Sequence, residues 1–436
     1  MKKITVSMLF LAMATVAFSQ PVQKLIKEES VTRIIKTLAA DDMMGRSANR
    51  PEHIEKATAF IEKEFKNIGL HHLSGLTTYR QEFKKEMIAP LSVDATINGT
   101  AVDKENMVLA SESPMINLNK GLAIKTIPYD SSITNKRQYL LTKAFGFIRT
   151  DTTSSIILVA PEFAAEFKEL NNYFGKRFIS GRKSTKLFVL GNYTVQSYAV
   201  QATQKLETII MNNVVAVLPG KTKPDEFVVF SCHYDHIGIE TPVAGDSISN
   251  GADDDASGTT AVIELARYFK KTKNNQRTLI FVAFTAEEIG GFGSKYFSEQ
   301  LNPDKVVAMF NIEMIGKPSK WGQNFAFITG YERSDFGDIL QKNLKGTQFE
   351  FRPDPYPTQN LFYRSDNATL ARLGVPAHTI STDEIDIDKF YHTVDDEVET
   401  LDMKNITSTI RAIALSSKSI VNGTDTPKRI DKATVR

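Results

Sequence analysis

From about residue 205 onward the chain alternates short β-branched or aromatic runs with helical stretches. No other feature constrains the fold as strongly. The runs are NNVVAVLPG, EFVVFSCHY, RTLIFVAFTA, VVAMFNIEM and FAFITG. Between them lie TTAVIELARYFKK, GSKYFSEQL and DFGDILQKNLKG, and a final helix is expected over about 401–421. Strands that alternate with helices predict an α/β fold, a mostly parallel mixed sheet flanked by helices on both faces. In such a sheet the ligand site forms at the carboxyl ends of the strands.

The reactive side chains fall at those ends. The run 226–232 leads into His233, Tyr234, Asp235 and His236. The run 278–284 leads to Glu287 and Glu288, and the run 306–311 to Glu313. A Gly-rich turn, GADDDASG (251–258), opens a helix, and FYHTVDDE places His392 past the last apparent strand, AHTIS. Taken singly, a strand-end His is a surface residue, Asp beside Gly is a turn or helix cap, and paired Glu is a solvated loop. Together they form an oxygen and nitrogen donor set without thiolates, suited to Zn or a similar divalent ion.

The rest of the chain sets the context. In KATAFIEKEFKNIGL the apolar residues recur at helical spacing up to Gly69, so residues 24–70 are expected to be helical. Residues 89 to about 200 carry SVDATI, SIILVA and KLFVLG between turn residues, with one helical patch near FAAEFKELNNYF. They read as an inserted small β-rich or α+β domain. Residues 1–19 read as a secretory signal peptide: Lys2 and Lys3, an apolar stretch, then small Ala17 and Ser19. That stretch is shorter than the roughly 20 residues a membrane span needs. The expected mature protein is exported, periplasmic or extracellular, and free of the membrane. Lys+Arg 53 against Asp+Glu 51 gives a net charge of +2, which the loss of Lys2 and Lys3 cancels. A balanced chain without a basic block argues against nucleic-acid binding. One cysteine, Cys232, excludes a disulfide framework and a thiolate metal site.

In order and spacing, His233-x-Asp235, GADDDASG, AEEIGGFGS, NIEM and YHTVDD resemble the successive motifs of the two-zinc exopeptidases of peptidase family M28. LAADDMMGRSANRPEHIEKATAFIEKEFKNIGL and RSDNATLARLGVPAHTI are similar to its leading helices and to the stretch before its last ligand. The resemblance implies the zinc-exopeptidase type of α/β fold. Residues 20–88 would be the N-terminal helical part of the catalytic domain and 205–425 its main part, with a tail at 426–436. The insert, 89–204, sits where members carry a protease-associated domain.

The resemblance also implies roles. His233 and Glu313 would hold one ion, Glu288 and His392 the other, and Asp254 would bridge the two. Asp235 would orient His392 or His233 from behind. Glu287 would be the general base, and Tyr391 is the candidate donor to the substrate carbonyl. His236 could ligate by chemistry alone, but the family pattern makes it a neighbouring pocket or structural residue. Two departures stand out: Glu313 where the family usually has Asp, and Asn367 where many relatives have His. The implied activity is that of a secreted zinc aminopeptidase acting on peptides with a free N-terminus. The alternatives are a carboxypeptidase, for which Arg364 or Arg372 could hold a carboxylate, a glutaminyl-cyclase-like acyltransferase, and a non-catalytic binding protein.

Overall fold

The computed structural model describes residues 20–436, so the signal peptide expected at 1–19 lies outside the described residues. The chain divides into two compact units. One holds the residues up to Phe83 together with Met211–Arg436, and the other is Lys84–Ile210.

In the first unit seven strands matter: β1 (Tyr198–Leu218, from Met211 on), β2 (Lys223–His233), β3 (Arg277–Phe284), β4 (Val306–Ile312), β5 (Phe325–Ile328), β6 (Glu350–Pro353) and β7 (Ala377–Ser381). Their order in the sheet is β6-β5-β7-β4-β2-β3-β1. The centre, β7-β4-β2-β3, is parallel throughout. Antiparallel pairings flank it, β1 against β3 and β5 against β7. The sheet is therefore mixed with a parallel middle, and β2, β3 and β4 end at one edge.

Every residue of β3 and β4 is buried, because both faces of the sheet are covered. On one face Phe230 stacks on Phe281 and Phe310 and touches Phe269 of α3 (Gly258–Thr272), while Phe310 meets Phe336 of α5 (Phe336–Asn343). On the other, Val229, Ile280, Val282 and Met309 pack with Phe297 of α4 (Phe292–Gln300) and Leu370 of α6 (Asn367–Arg372). The N-terminal part is α1 (Glu28–Leu38) and α2 (Pro51–Ile68), and α7 (Met403–Ser416) comes late in the chain. Helix α2 stops at Gly69, whose φ of 78° is a left-handed cap that glycine adopts without strain.

In the second unit a four-stranded sheet runs Met107–Ala110, Lys186–Leu190, Ser155–Val159, Ala123–Ile127. Alternate residues face two cores. Ile156, Leu158, Leu187 and Val189 enter one, while Ile157, Val159 and Phe188 enter the other. The helical patch near 163–174 is present as short turns, and a longer helix, Lys136–Arg149, precedes it. Only Leu140 and Ala144 of that helix are buried, so its apolar periodicity is faint in the sequence.

Candidate metal centre

The candidate ligand turn, 251–258, is held by hydrogen bonds of the chain's own groups. Gly251 has φ 57°, and a Cβ there would lie 2.2 Å from the Asp254 carbonyl and 2.5 Å from the His236 ring. The three aspartates that follow divide their tasks. Asp253 Oδ1 accepts from the Gly316 N–H at 2.6 Å and the Ser257 hydroxyl at 3.2 Å. Asp255 Oδ1 accepts from the N–H groups of Gly258 and Met314, and its Oδ2 from that of His233. It thereby caps α3 and ties the end of β2 to the segment after β4. Asp396 receives the N–H groups of Asp253 and Asp254. The side chain of Asp254 is left to face the imidazoles of His233 and His392.

Its oxygens lie 3.1 Å from His233 Nε2 and 3.2 Å from His392 Nε2. His392 Nε2 is also 3.2 Å from Glu288 Oε2, and His236 Nδ1 is 2.9 Å from Glu288 Oε1. Among the described residues, His233, Asp254 and Glu288 offer ligand atoms all within 4.8 Å of one another. His233 Nε2 and Glu313 Oε2 are buried and make no hydrogen bond. Unsatisfied buried donors and acceptors are costly. A cluster of imidazoles and carboxylates that leaves two such atoms bare fits a divalent cation.

The site's charges show the same pressure. Burial opposes ionisation of Asp254, but the imidazoles of His233 and His392 beside it hold its carboxyl well below the usual range. Burial also opposes the charge on His392, yet Asp254 and Glu288 push it up to about 10. Glu313 goes the other way, raised by burial to about 7, and burial lifts Glu287 well above an ordinary carboxyl. Crowded acids in a dry site need cations to stay ionised together.

Behind these donors sits Asp235, fully buried, which burial pushes up to about 6. Its carboxylate accepts the N–H groups of Glu287 and Glu288, and its main-chain oxygen lies 3.1 Å from His233 Nδ1. Its carboxylate thus steadies the paired-glutamate turn and its carbonyl the His233 ring. Tyr391 stacks on His392 with centroids 3.9 Å apart, and its hydroxyl is 3.4 Å from Arg364 Nη2. His236, the neighbour in sequence terms, is in contact with Glu288 and 3.8 Å from Asp254. Asn367 bonds the carbonyl of Phe362 and accepts from the Thr379 hydroxyl, so it joins α6 to β7. Arg372 bonds the Arg436 carbonyl, whereas Arg364 lines a pocket beside the donors together with Glu313, Met314, Phe327, Leu361 and Ile385.

Two further residues were not singled out in the sequence. Arg46 is fully buried and donates to four carbonyls, those of Tyr234 (2.7 Å), Leu38 (2.7 Å), Asn250 (2.5 Å) and Gly251 (2.9 Å). It clamps the two segments that carry His233 and Asp254. Burial lowers its pKa, and the nearby Asp396, Asp254 and Asp235 pull it back up. Asp366, buried beside Glu313 and His233, is raised to about 7. The sole sequence signal for Arg46 was its place after Gly45, whose φ of 63° lets the backbone reach within the space of Gly238.

Residues 213–416 match the model of Peptidase family M28. A probable leucine aminopeptidase of Trichophyton verrucosum is 28% identical over 203 residues, which are 44% of this chain and 53% of the relative. The chain thus spans about half the length of such curated relatives. An aminopeptidase from Aneurinibacillus sp. strain AM-1 shares the fold with TM-score 0.57 at 18% identity, covering 96% of this chain and 98% of that one. BSAP, a zinc aminopeptidase from Bacillus subtilis, does so with TM-score 0.55 at 15% identity, covering 94% and 99%. The likeness to peptidase family M28 is thus carried by residues 213–416, and the solved aminopeptidases share the fold.

Proposed function

We propose that the protein is a zinc-dependent aminopeptidase that releases N-terminal residues from peptides. One observation carries this reading: His233, Asp254, Glu288 and His392 converge at the carboxyl edge of the sheet, beside a pocket of mixed lining that includes Phe327, Leu361 and Ile385, with the Glu287 backbone held by Asp235. The names of the relatives, leucine aminopeptidases and a zinc aminopeptidase, support it. His233 and Glu313 would hold one ion, Glu288 and His392 a second, and Asp254 both.

The ions would supply Lewis acidity and an acidified water. The chain's own groups do the rest. The Glu287 carboxylate takes a proton from the attacking water as its oxygen bonds the scissile carbonyl carbon. It returns that proton to the amine as the C–N bond breaks. Asp235 fixes the Glu287 backbone through its N–H. The Tyr391 hydroxyl, whose pKa burial raises, stays protonated and donates to the carbonyl oxygen as charge grows there. The substrate's ammonium is drawn to the acidic edge, and its first side chain enters the pocket.

The test is a panel of N-terminally free and blocked peptides given to zinc-loaded protein, with metal counted per chain. Cleavage of free N-termini alone, with two zinc ions bound, is expected. Arg364 at the pocket wall favours one competing reading, capture of a C-terminal carboxylate. Shortening of blocked peptides from the other end would select it and reject the aminopeptidase. We further propose that residues 1–19 direct export. No helix among the described residues is long and apolar enough to cross a membrane. N-terminal sequencing of the secreted protein would find Gln20 first.

A further inference from the structure

Lys317 follows the Glu313–Met314 segment and takes no part in the chemistry above. Its ammonium lies 3.0 Å from Asp253 Oδ2 and 2.7 Å from Asp388 Oδ2, and 5.6 Å from the centre of the Phe390 ring. Its carbonyl accepts from the Thr382 hydroxyl at 2.5 Å and from Asn405 Nδ2 at 2.8 Å. A single residue therefore holds the 382–391 loop near both ends, at Thr382 through the backbone and at Asp388 through the side chain. That loop gives Ile385 and Tyr391 to the pocket wall and runs directly into His392.

The two anchors of the ammonium are not alike. Asp253 is fixed by Gly316 and Ser257 in the ligand turn. Asp388 belongs to the loop, and its other oxygen accepts from the Phe390 N–H. Oxygens of Asp253, Asp383 and Asp388 lie within 4.8 Å of one another. Charges this close in a partly buried site interact strongly. With the ammonium between them the loop is drawn onto the ligand turn. Without it, Asp388 faces a fixed carboxylate and the loop is pushed off.

We propose that Lys317 is a positioning residue that latches the 382–391 loop over the pocket and thereby sets how tightly a substrate's first side chain is held. This rests on the aminopeptidase reading, in which the pocket receives that side chain. Other ways to hold the loop, such as the Thr382 bonds alone, would leave Lys317 dispensable.

The experiment uses the full zinc-loaded chain with leucine 4-nitroanilide, and tryptic cleavage at exposed Lys389 as a second readout. In Lys317→Met, KM rises about tenfold while kcat falls less than about threefold, zinc content holds, and cleavage at Lys389 accelerates. Adding Asp388→Asn to that variant removes the repulsion but leaves the ion pair broken, and brings KM part of the way back, to about threefold above wild type. Lys317→Arg restores both readouts. A residue needed merely for folding would lose zinc and kcat together and would gain nothing from the second change. Should Lys317→Met fail to fold, Asp388→Asn alone must speed cleavage at Lys389. Unchanged KM and cleavage in the folded variants, or no recovery in the double variant, overturns the latch. If the wild type cleaves no free N-terminus, the aminopeptidase reading falls, and the Lys389 rates still decide the role of Lys317.

Discussion

Asp253, Asp254 and Asp255 are chemically identical neighbours whose surroundings separate them. The outer two accept backbone N–H groups and hold the turn, while Asp254 faces two imidazoles. No property of the string DDD distinguishes them. Glu287 and Glu288 are separated in the same way, with Glu288 bonded to His236 and His392. Replacing Glu287→Gln should cut kcat by about 10²- to 10⁴-fold. Zinc content and melting temperature should not change, and a fully active variant would remove Glu287 as the base. Glu313→Asp shortens one ligand arm by a methylene but keeps a hard oxygen. Zinc should still bind, with an altered preference between zinc and manganese in competition dialysis, and complete loss of metal would contradict the assignment. Arg46→Met strips its donor from the buried carbonyls of Tyr234, Leu38 and Asn250 and leaves that of Gly251 with the Ala256 N–H alone. A loss of about 3 kcal/mol or more in urea unfolding is expected, together with weaker zinc binding. Arg46→Lys should recover little, because an ammonium cannot reproduce the fork.

At the scale of elements, the strands were legible because β3, β4 and the second half of β2 (228–233) are buried on both faces and read as largely apolar runs. Their direction was not. Strand β1 ends in an apolar run, VVAVL, much like the FVVF of β2, but lies antiparallel to β3, a matter of which way the chain arrives. The hairpin Gly238–Val243 and Asp246–Ser249 went unseen, because its first strand is short, carries Pro242 and is exposed after Gly238. Strand β7 carries a pH sensor of its own. His378 Nδ1 donates to the Thr329 carbonyl at 2.8 Å, and its Nε2 accepts from the Ser334 hydroxyl at 2.7 Å. Burial lowers its pKa from 6.5 to about 4, so the folded state keeps a neutral ring. Between those values the unfolded chain binds the proton that the folded one refuses. Its share of stability is complete above pH 6.5 and fades as pH falls through about 4, by up to about 3 kcal/mol. Urea midpoints from pH 7 to 4 should therefore fall less steeply in a His378→Gln variant. An identical slope would show that the ring does not titrate in this way.

For the whole molecule, the two compact units predict two calorimetric transitions, only one of them linked to metal. Every candidate ligand lies in the unit containing Met211–Arg436. Zinc at about 1,000 times its dissociation constant should stabilise that unit by about 4 kcal/mol and leave the other transition in place. A chelator should reverse the shift, and movement of both peaks together would show that the units melt as one. The insert was read at 89–204, whereas the compact unit spans Lys84–Ile210, with its limits inside the long strands Arg80–Ile97 and Tyr198–Leu218. A strand's β-rich pattern continues through such a limit, so the sequence carries no mark of it. The sequence by itself determined the alternation of strands and helices, and with it the edge where ligands can bind. It also determined the donor types, because imidazole and carboxylate chemistry is written residue by residue. Tertiary structure decided how Asp253 and Asp255 are tied down while Asp254 is left free, where His236 sits, and that Arg46 reaches the site from far along the chain. Those outcomes depend on distances between segments separated by up to about two hundred residues, and pattern along a chain holds no information on such distances until the sheet has formed.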